Sequence, residues 1–114
     1  MTEPHRVHIT ALMYSGRRNP TWDGPAADVA ARLGTLPQMP CPPRPKPRLG
    51  YRGLTVVLTG PDGDRTPVDI ADGIVRQGTM CRRDTGRRLE RDLLRMGAEI
   101  LGADRLARLL ADLR

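Results

Sequence analysis

Six of the twelve residues from Pro37 to Arg48 are proline. No helix and no central strand accommodates that density, because each proline lacks an amide hydrogen and crowds the turn before it. The stretch at about 37–48 is therefore expected to run as an extended, polyproline-like arm. A structureless loop of this length is uncommon inside a domain. Two readings stand: a crossover between elements, or a segment that wraps a partner. Its register, Pro40-Cys41-Pro42-Pro43-Arg44-Pro45-Lys46-Pro47-Arg48, is basic and Pro-rich, a pattern that docks on aromatic grooves but more often serves as a rigid connector.

The flanking sequence supplies regular structure. Val7, Ile9, Ala11 and Met13 alternate with His8, Thr10, Leu12 and Tyr14, which predicts a half-buried strand over Arg6 to Tyr14 ended by Ser15-Gly16. Arg17 to Gly24 reads as a loop, since Asn19 precedes Pro20 and is pushed out of helical geometry. Pro25 suits the first turn of a short helix carrying Ala26, Val29, Ala30 and Leu33 on one face and stopping at Gly34. After the arm, Gly50 to Thr59 alternates as a strand. A turn follows at Gly60 to Asp64. A second strand runs from Val68 to Val75 with a bulge or bend at Asp72-Gly73, and a short edge strand from Thr79 to Arg82. Asp84 or Thr85 caps a helix on which Leu89, Leu93, Met96 and Ile100 share a face. Gly102-Ala103-Asp104 breaks it before a last helix bearing Leu106, Leu109, Leu110 and Leu113. The order predicts one α+β domain over residues 1–114: a small, mainly antiparallel sheet, a short helix after strand 1, and C-terminal amphipathic helices on one face. No internal repeat is visible.

The chain has 114 residues and a formal net charge of +6, which on its face points to nucleic acid. The cations are one lysine, Lys46, and eighteen arginines. With abundant Ala, Gly, Pro and Asp, this is the usage of a GC-rich bacterial coding sequence, so much of the basicity follows from codon bias. The N-terminus, Met1-Thr2-Glu3-Pro4-His5, lacks the basic-then-apolar pattern of a signal peptide, and no apolar run is long enough to span a bilayer. The expected location is the cytoplasm, without a membrane partner. There Cys41 and Cys81 are expected to stay free thiols. They match no zinc spacing, and His5 and His8 fall on opposite faces of a strand, so neither a metal site nor a cofactor is expected.

The run Tyr14-Ser15-Gly16-Arg17-Arg18-Asn19-Pro20-Thr21-Trp22 resembles a motif of small, uncharacterised bacterial proteins that reads Ser-Gly-Arg-Pro-Asn-Pro-x-Trp after a first strand. Leu49-Gly50-Tyr51-Arg52-Gly53 and Arg83-Asp84-Thr85-Gly86-Arg87 before Leu89-Glu90 are similar too, in the same order. Arg18 stands where that group has proline. The resemblance implies a shared fold and brings no activity with it.

Trp22 is the single tryptophan of a chain with two tyrosines and no phenylalanine. Its neighbourhood of arginines and the rigid Asn19-Pro20 step point to a built site. Tyr14, Arg17, Arg18, Asn19, Trp22, Tyr51, Arg52 and Arg87 are the candidate ligand- or partner-binding residues, because guanidinium forks hold carboxylate or phosphate while rings hold a planar or apolar group. The competing reading is structural: arginines pinning loops onto Asp84 or Glu90, and Trp22 plugging the core. Asp84 is the candidate proton carrier, although a carboxylate at a helix start ordinarily caps it. The leading expectation is a ligand- or partner-binding protein with an Arg/Trp-lined site. The alternatives are a cofactor-free enzyme or accessory factor acting on a peptide or natural-product intermediate, and arginine-mediated binding of nucleic acid. A homodimer is expected, because Leu101, Leu106, Leu109, Leu110 and Leu113 exceed what a short sheet covers.

Overall fold

The computed structural model describes residues 4–113. Met1 to Glu3, on which much of the reading of the N-terminus rests, lie outside them. The strands are β1 (Arg6–Ala11), β2 (Thr21–Gly24), β3 (Gln38–Met39), β4 (Leu54–Thr59), β5 (Arg65–Ala71), β6 (Ile74–Gln77) and β7 (Met80–Arg83). The helices are α1 (Ala26–Thr35), α2 (Arg88–Met96), α3 (Ala98–Leu101) and α4 (Ala103–Asp112). All seven strands pair antiparallel in the spatial order β2-β1-β4-β5-β6-β7-β3.

The register sorts residues between two faces. Ile9 lies opposite Val56, and Val56 opposite Val68, while Leu54 lies opposite Ile70 and Ile70 opposite Val75. These make the inner face, and they share one buried cluster with Val29 and Leu33 of α1, Leu89, Leu93 and Leu94 of α2, Leu101 of α3, and Leu109 and Leu113 at the chain's end. An α+β architecture with helices over one face of an antiparallel sheet is thus as the alternation predicts.

Several details differ. The segment predicted as a loop before α1 contains β2, because β1 offers it a ladder: Val7 pairs with Gly24 and Ile9 with Trp22. Val68 to Val75 is a hairpin, not one bent strand. Asp72 and Gly73 both take positive φ, 54° and 79°, the pattern of a two-residue turn that matches strand twist. The C-terminal helix breaks first at Gly97, since α2 ends at Met96. That turn rotates the predicted face, and Met96 and Ile100 come out exposed. The leucines that predicted a dimer are covered within the chain: Leu101, Leu109 and Leu113 are buried, and Leu106 and Leu110 pack against the core.

The arm is fastened to its own sheet. It crosses the outer face of the sheet from the β3–β7 edge back to β4. Cys41 is joined to Cys81 of β7 by a disulfide with Cα atoms 5.1 Å apart, which corrects the expectation of two free thiols. The reason is local: Met39 pairs directly with Cys81, so the cysteine two residues on falls within bonding reach. Next, Arg76 of β6 donates to the Pro42 carbonyl at 2.7 Å, and Arg44 meets Asp69 of β5 at 3.4 Å. The arm ends where the Arg52 amide donates to the Leu12 carbonyl at 2.8 Å. No helix among the described residues is long and apolar enough to cross a membrane.

Candidate functional site

The loop from Leu12 to Pro20 is closed by its own polar groups. The Asn19 side-chain oxygen accepts the amides of Met13 and Tyr14 at 2.9 and 2.8 Å, and the Pro20 carbonyl accepts the Ala11 amide at 3.0 Å. Asn19 is thereby an organiser of the loop. The closure presents Tyr14 as a hub for three arginines. The Arg17 guanidinium stacks over the Tyr14 ring, 3.8 Å from its centroid. Arg105 of α4 donates to the Tyr14 hydroxyl at 2.7 Å, and Arg52 donates to the Tyr14 carbonyl at 3.3 Å. Arg105 is itself held by the Leu101 and Ile100 carbonyls, at 2.8 and 3.2 Å. Among the described residues, Arg17, Arg52 and Arg105 form no ion pair. Arg18 beside them is exposed and also without a partner there. Next to this hub a shallow groove of about 360 Å³ is lined by Ser15, Pro47, Arg48, Leu49 and Arg52. Leu49 is 91% exposed at its wall, and Arg48 reaches Asp72 at 3.4 Å.

Trp22, expected among the binding residues, is not brought to the Tyr14 hub but lies in the core. It is 7% exposed, and its indole N–H donates to the Leu93 carbonyl at 3.0 Å. Its ring lies flat against Gly97, where an added Cβ would stand 2.5 Å from two ring carbons. The β1–β2 register explains this: opposite Ile9, position 22 faces inward. The arginine that stacks on an aromatic ring does so at Tyr14.

Tyr51 and Arg87 meet elsewhere, on Glu90. This carboxylate is fully buried, at 0% exposure. Arg87 grips it with two donors, Nε to Oε1 at 3.0 Å and a terminal nitrogen to Oε2 at 3.2 Å, and the Tyr51 hydroxyl donates to Oε2 at 2.5 Å. Arg87 reaches it from a left-handed backbone position, φ 55°. Burial first, then the charge of Glu90 and its hydrogen bond, push the Tyr51 hydroxyl well above the usual tyrosine range. For Arg87 burial opposes the charge, but the hydrogen bonds and charge of Glu90 outweigh it, so the guanidinium holds its proton more tightly than usual. The triad is internally satisfied and ties the arm's end to the start of α2.

Asp84 is buried, and its two oxygens accept the Leu89 and Glu90 amides at 2.9 and 3.0 Å. It serves the open amides at the start of α2. Both oxygens of the candidate proton carrier are therefore engaged in holding backbone.

Arg105 and Arg48 are the residues that the sequence did not point to, whereas Glu90 meets an arginine as the structural reading of the sequence expects. Glu90 carried a signal: with Leu93, Leu94, Gly97 and Leu101 it lies on the buried stripe of the helix. A larger concavity of about 830 Å³ opens between Ala27, Ala30 and Leu33 of α1 and Leu58, Val75 and Met80 of the sheet. It is mainly apolar and holds none of the candidate residues. Among the described residues no group of three or more His, Cys, Asp or Glu is placed to hold a metal ion. No family model matches this chain, and neither curated proteins nor solved structures show a match to it.

Proposed function

We propose that this protein binds an anionic ligand, a carboxylate- or phosphate-bearing small molecule or peptide end, at the arginines around Tyr14. The observation that carries this reading is three guanidinium groups gathered on one tyrosine, Arg17 over the Tyr14 ring, Arg105 on its hydroxyl and Arg52 on its carbonyl, with no carboxylate paired to them among the described residues. Like charges brought together are unfavourable unless an anion shares them, and hydrogen bonds from an ionised fork to an anion are the strong class. The Ser15 groove adds Arg48 as a further donor, and Pro47 and Leu49 as an apolar wall for the rest of the ligand.

Much of the remaining arginine complement braces the fold and leaves less for a nucleic-acid surface. Arg76, Arg82 and Arg91 donate to the carbonyls of Pro42, Leu36 and Leu110, and Arg32 and Arg95 share Asp92. An enzymatic reading would need a group free to carry a proton, and Asp84 is tied to two amides. The test is a titration with inorganic pyrophosphate followed by backbone NMR shifts. Saturable shifts confined to 14–19, 47–52 and the start of α4 are expected. Shifts spread evenly over every exposed arginine segment would contradict a built site.

A further inference from the structure

The same arm that supplies Pro47, Arg48 and Leu49 to the anion groove is fastened to the sheet by one covalent bond. We propose that the Cys41–Cys81 disulfide is a redox latch: its reduction by a dithiol releases the arm from the outer face of the sheet and weakens anion binding in the Ser15 groove. This rests on the anion-site reading above.

Little else holds the arm. Residues 43–50 are all exposed, so apolar burial does not fix it. Its main polar links to the sheet are the Arg76 bond to the Pro42 carbonyl and two exposed ion pairs, Arg44–Asp69 and Arg48–Asp72, each at 3.4 Å. Exposed pairs of this kind contribute little against chain entropy. Upstream the last paired residue is Met39, and downstream the next backbone anchor is the Arg52 amide. Without the disulfide, the arm from Pro40 to Gly50 depends on the 2.7 Å Arg76 bond at its start, the two exposed ion pairs, and a 3.5 Å bond from Arg52 to the Gly50 carbonyl at its end.

The geometry favours exchange. Cys41 is exposed, whereas Cys81 is buried. A thiolate of the dithiol attacks the Cys41 sulfur, the S–S bond breaks, and the electron pair leaves on the Cys81 sulfur. Arg76 is paired directly with Cys81 across β6 and β7, so its side chain lies on the same face. A cation beside the departing thiolate favours that step. The second thiol of the reductant then displaces Cys41. Two electrons and two protons pass to the protein's cysteines, and the dithiol becomes a disulfide.

The test measures pyrophosphate affinity by calorimetry, and amide exchange over 41–52 by mass spectrometry, on the oxidised protein, the dithiothreitol-reduced protein and Cys41→Ser. Cys41→Ser alters the exposed partner and leaves the buried position intact. Reduction is expected to weaken affinity roughly tenfold and to speed exchange over 41–52 while β1 and β4 stay protected. Cys41→Ser should behave as the reduced form and no longer respond to dithiothreitol. Equal affinity and equal exchange in both redox states would overturn the latch. Absence of binding in both states, with exchange still rising on reduction, would instead overturn the anion site and with it the regulation.

Discussion

Tyr14 and Trp22 stand at the two ends of one short loop, and the structure uses them in opposite ways. Trp22 belongs to β2. Its register opposite Ile9 turns it inward, where the ring fills the space over Gly97 and its single N–H finds the Leu93 carbonyl. Tyr14 lies beyond the end of β1, half-buried, and its ring, hydroxyl and carbonyl each engage a different arginine. Aromatic character does not separate the two. What separates them is whether the backbone is in a ladder: pairing imposes a face, while the loop leaves Tyr14 accessible to side chains from β4's approach and from α4. Trp22 should therefore govern stability and the Tyr14 hub should govern binding.

The sharpest way to break that contrast is Trp22→Ala. Loss of a buried ring is expected to cost about 3–5 kcal/mol by denaturant unfolding, with anion affinity of the folded fraction unchanged. Glu90→Ala should approach it, at about 3–5 kcal/mol, because Arg87 would remain largely buried with only its longer 4.0 Å contact to Asp72. Reducing the disulfide closes off less, about 2–4 kcal/mol by the loop it constrains. Gly97→Ala sharpens the comparison from the other side. Its new Cβ would press on the indole and should cost about 1–3 kcal/mol. The smallest effect is one of pH. The folded Tyr51 hydroxyl titrates above its unfolded value, so the folded state holds the proton more tightly. Its contribution is fully present below about pH 10 and is lost as pH rises beyond it. Melting temperature should fall more steeply between about pH 9 and 11 in the wild type than in Tyr51→Phe.

The α+β layout was legible because Val7–Ala11, Leu54–Thr59 and the leucines of the last helices follow their periods closely. Other elements were hidden for physical reasons. β2 contains Thr21-Trp22-Asp23-Gly24 after an Asn-Pro step, and nothing local marks it as a strand; the hydrogen bonds of β1 make it one. Asp72-Gly73 carried the signature of a tight hairpin, yet the apolar run on both sides suggested continuity. Compartment alone predicts free thiols at Cys41 and Cys81, whereas their meeting depends on β3 joining β7 across forty residues of intervening chain. Within the site, Tyr14, Arg17, Asn19 and Arg52 come together as the sequence suggested. Arg105 does so only through the packing of α4, 91 residues away. Glu90 looked like an ordinary helix-start carboxylate, and its burial follows from its place among Leu93, Leu94 and Leu101.

The claim that unneutralised arginines about Tyr14 form an anion site is tested most directly by calorimetric titration of pyrophosphate into the wild type and into Arg17→Ala/Arg52→Ala. Neither side chain is buried in the core, so the variant should melt within about 0.5 kcal/mol of the wild type. The account predicts one saturable site in the wild type and affinity lowered at least roughly tenfold in the variant, as expected for lost charge-assisted hydrogen bonds. Equal binding by both proteins, or heat in the wild type that never saturates, would contradict it.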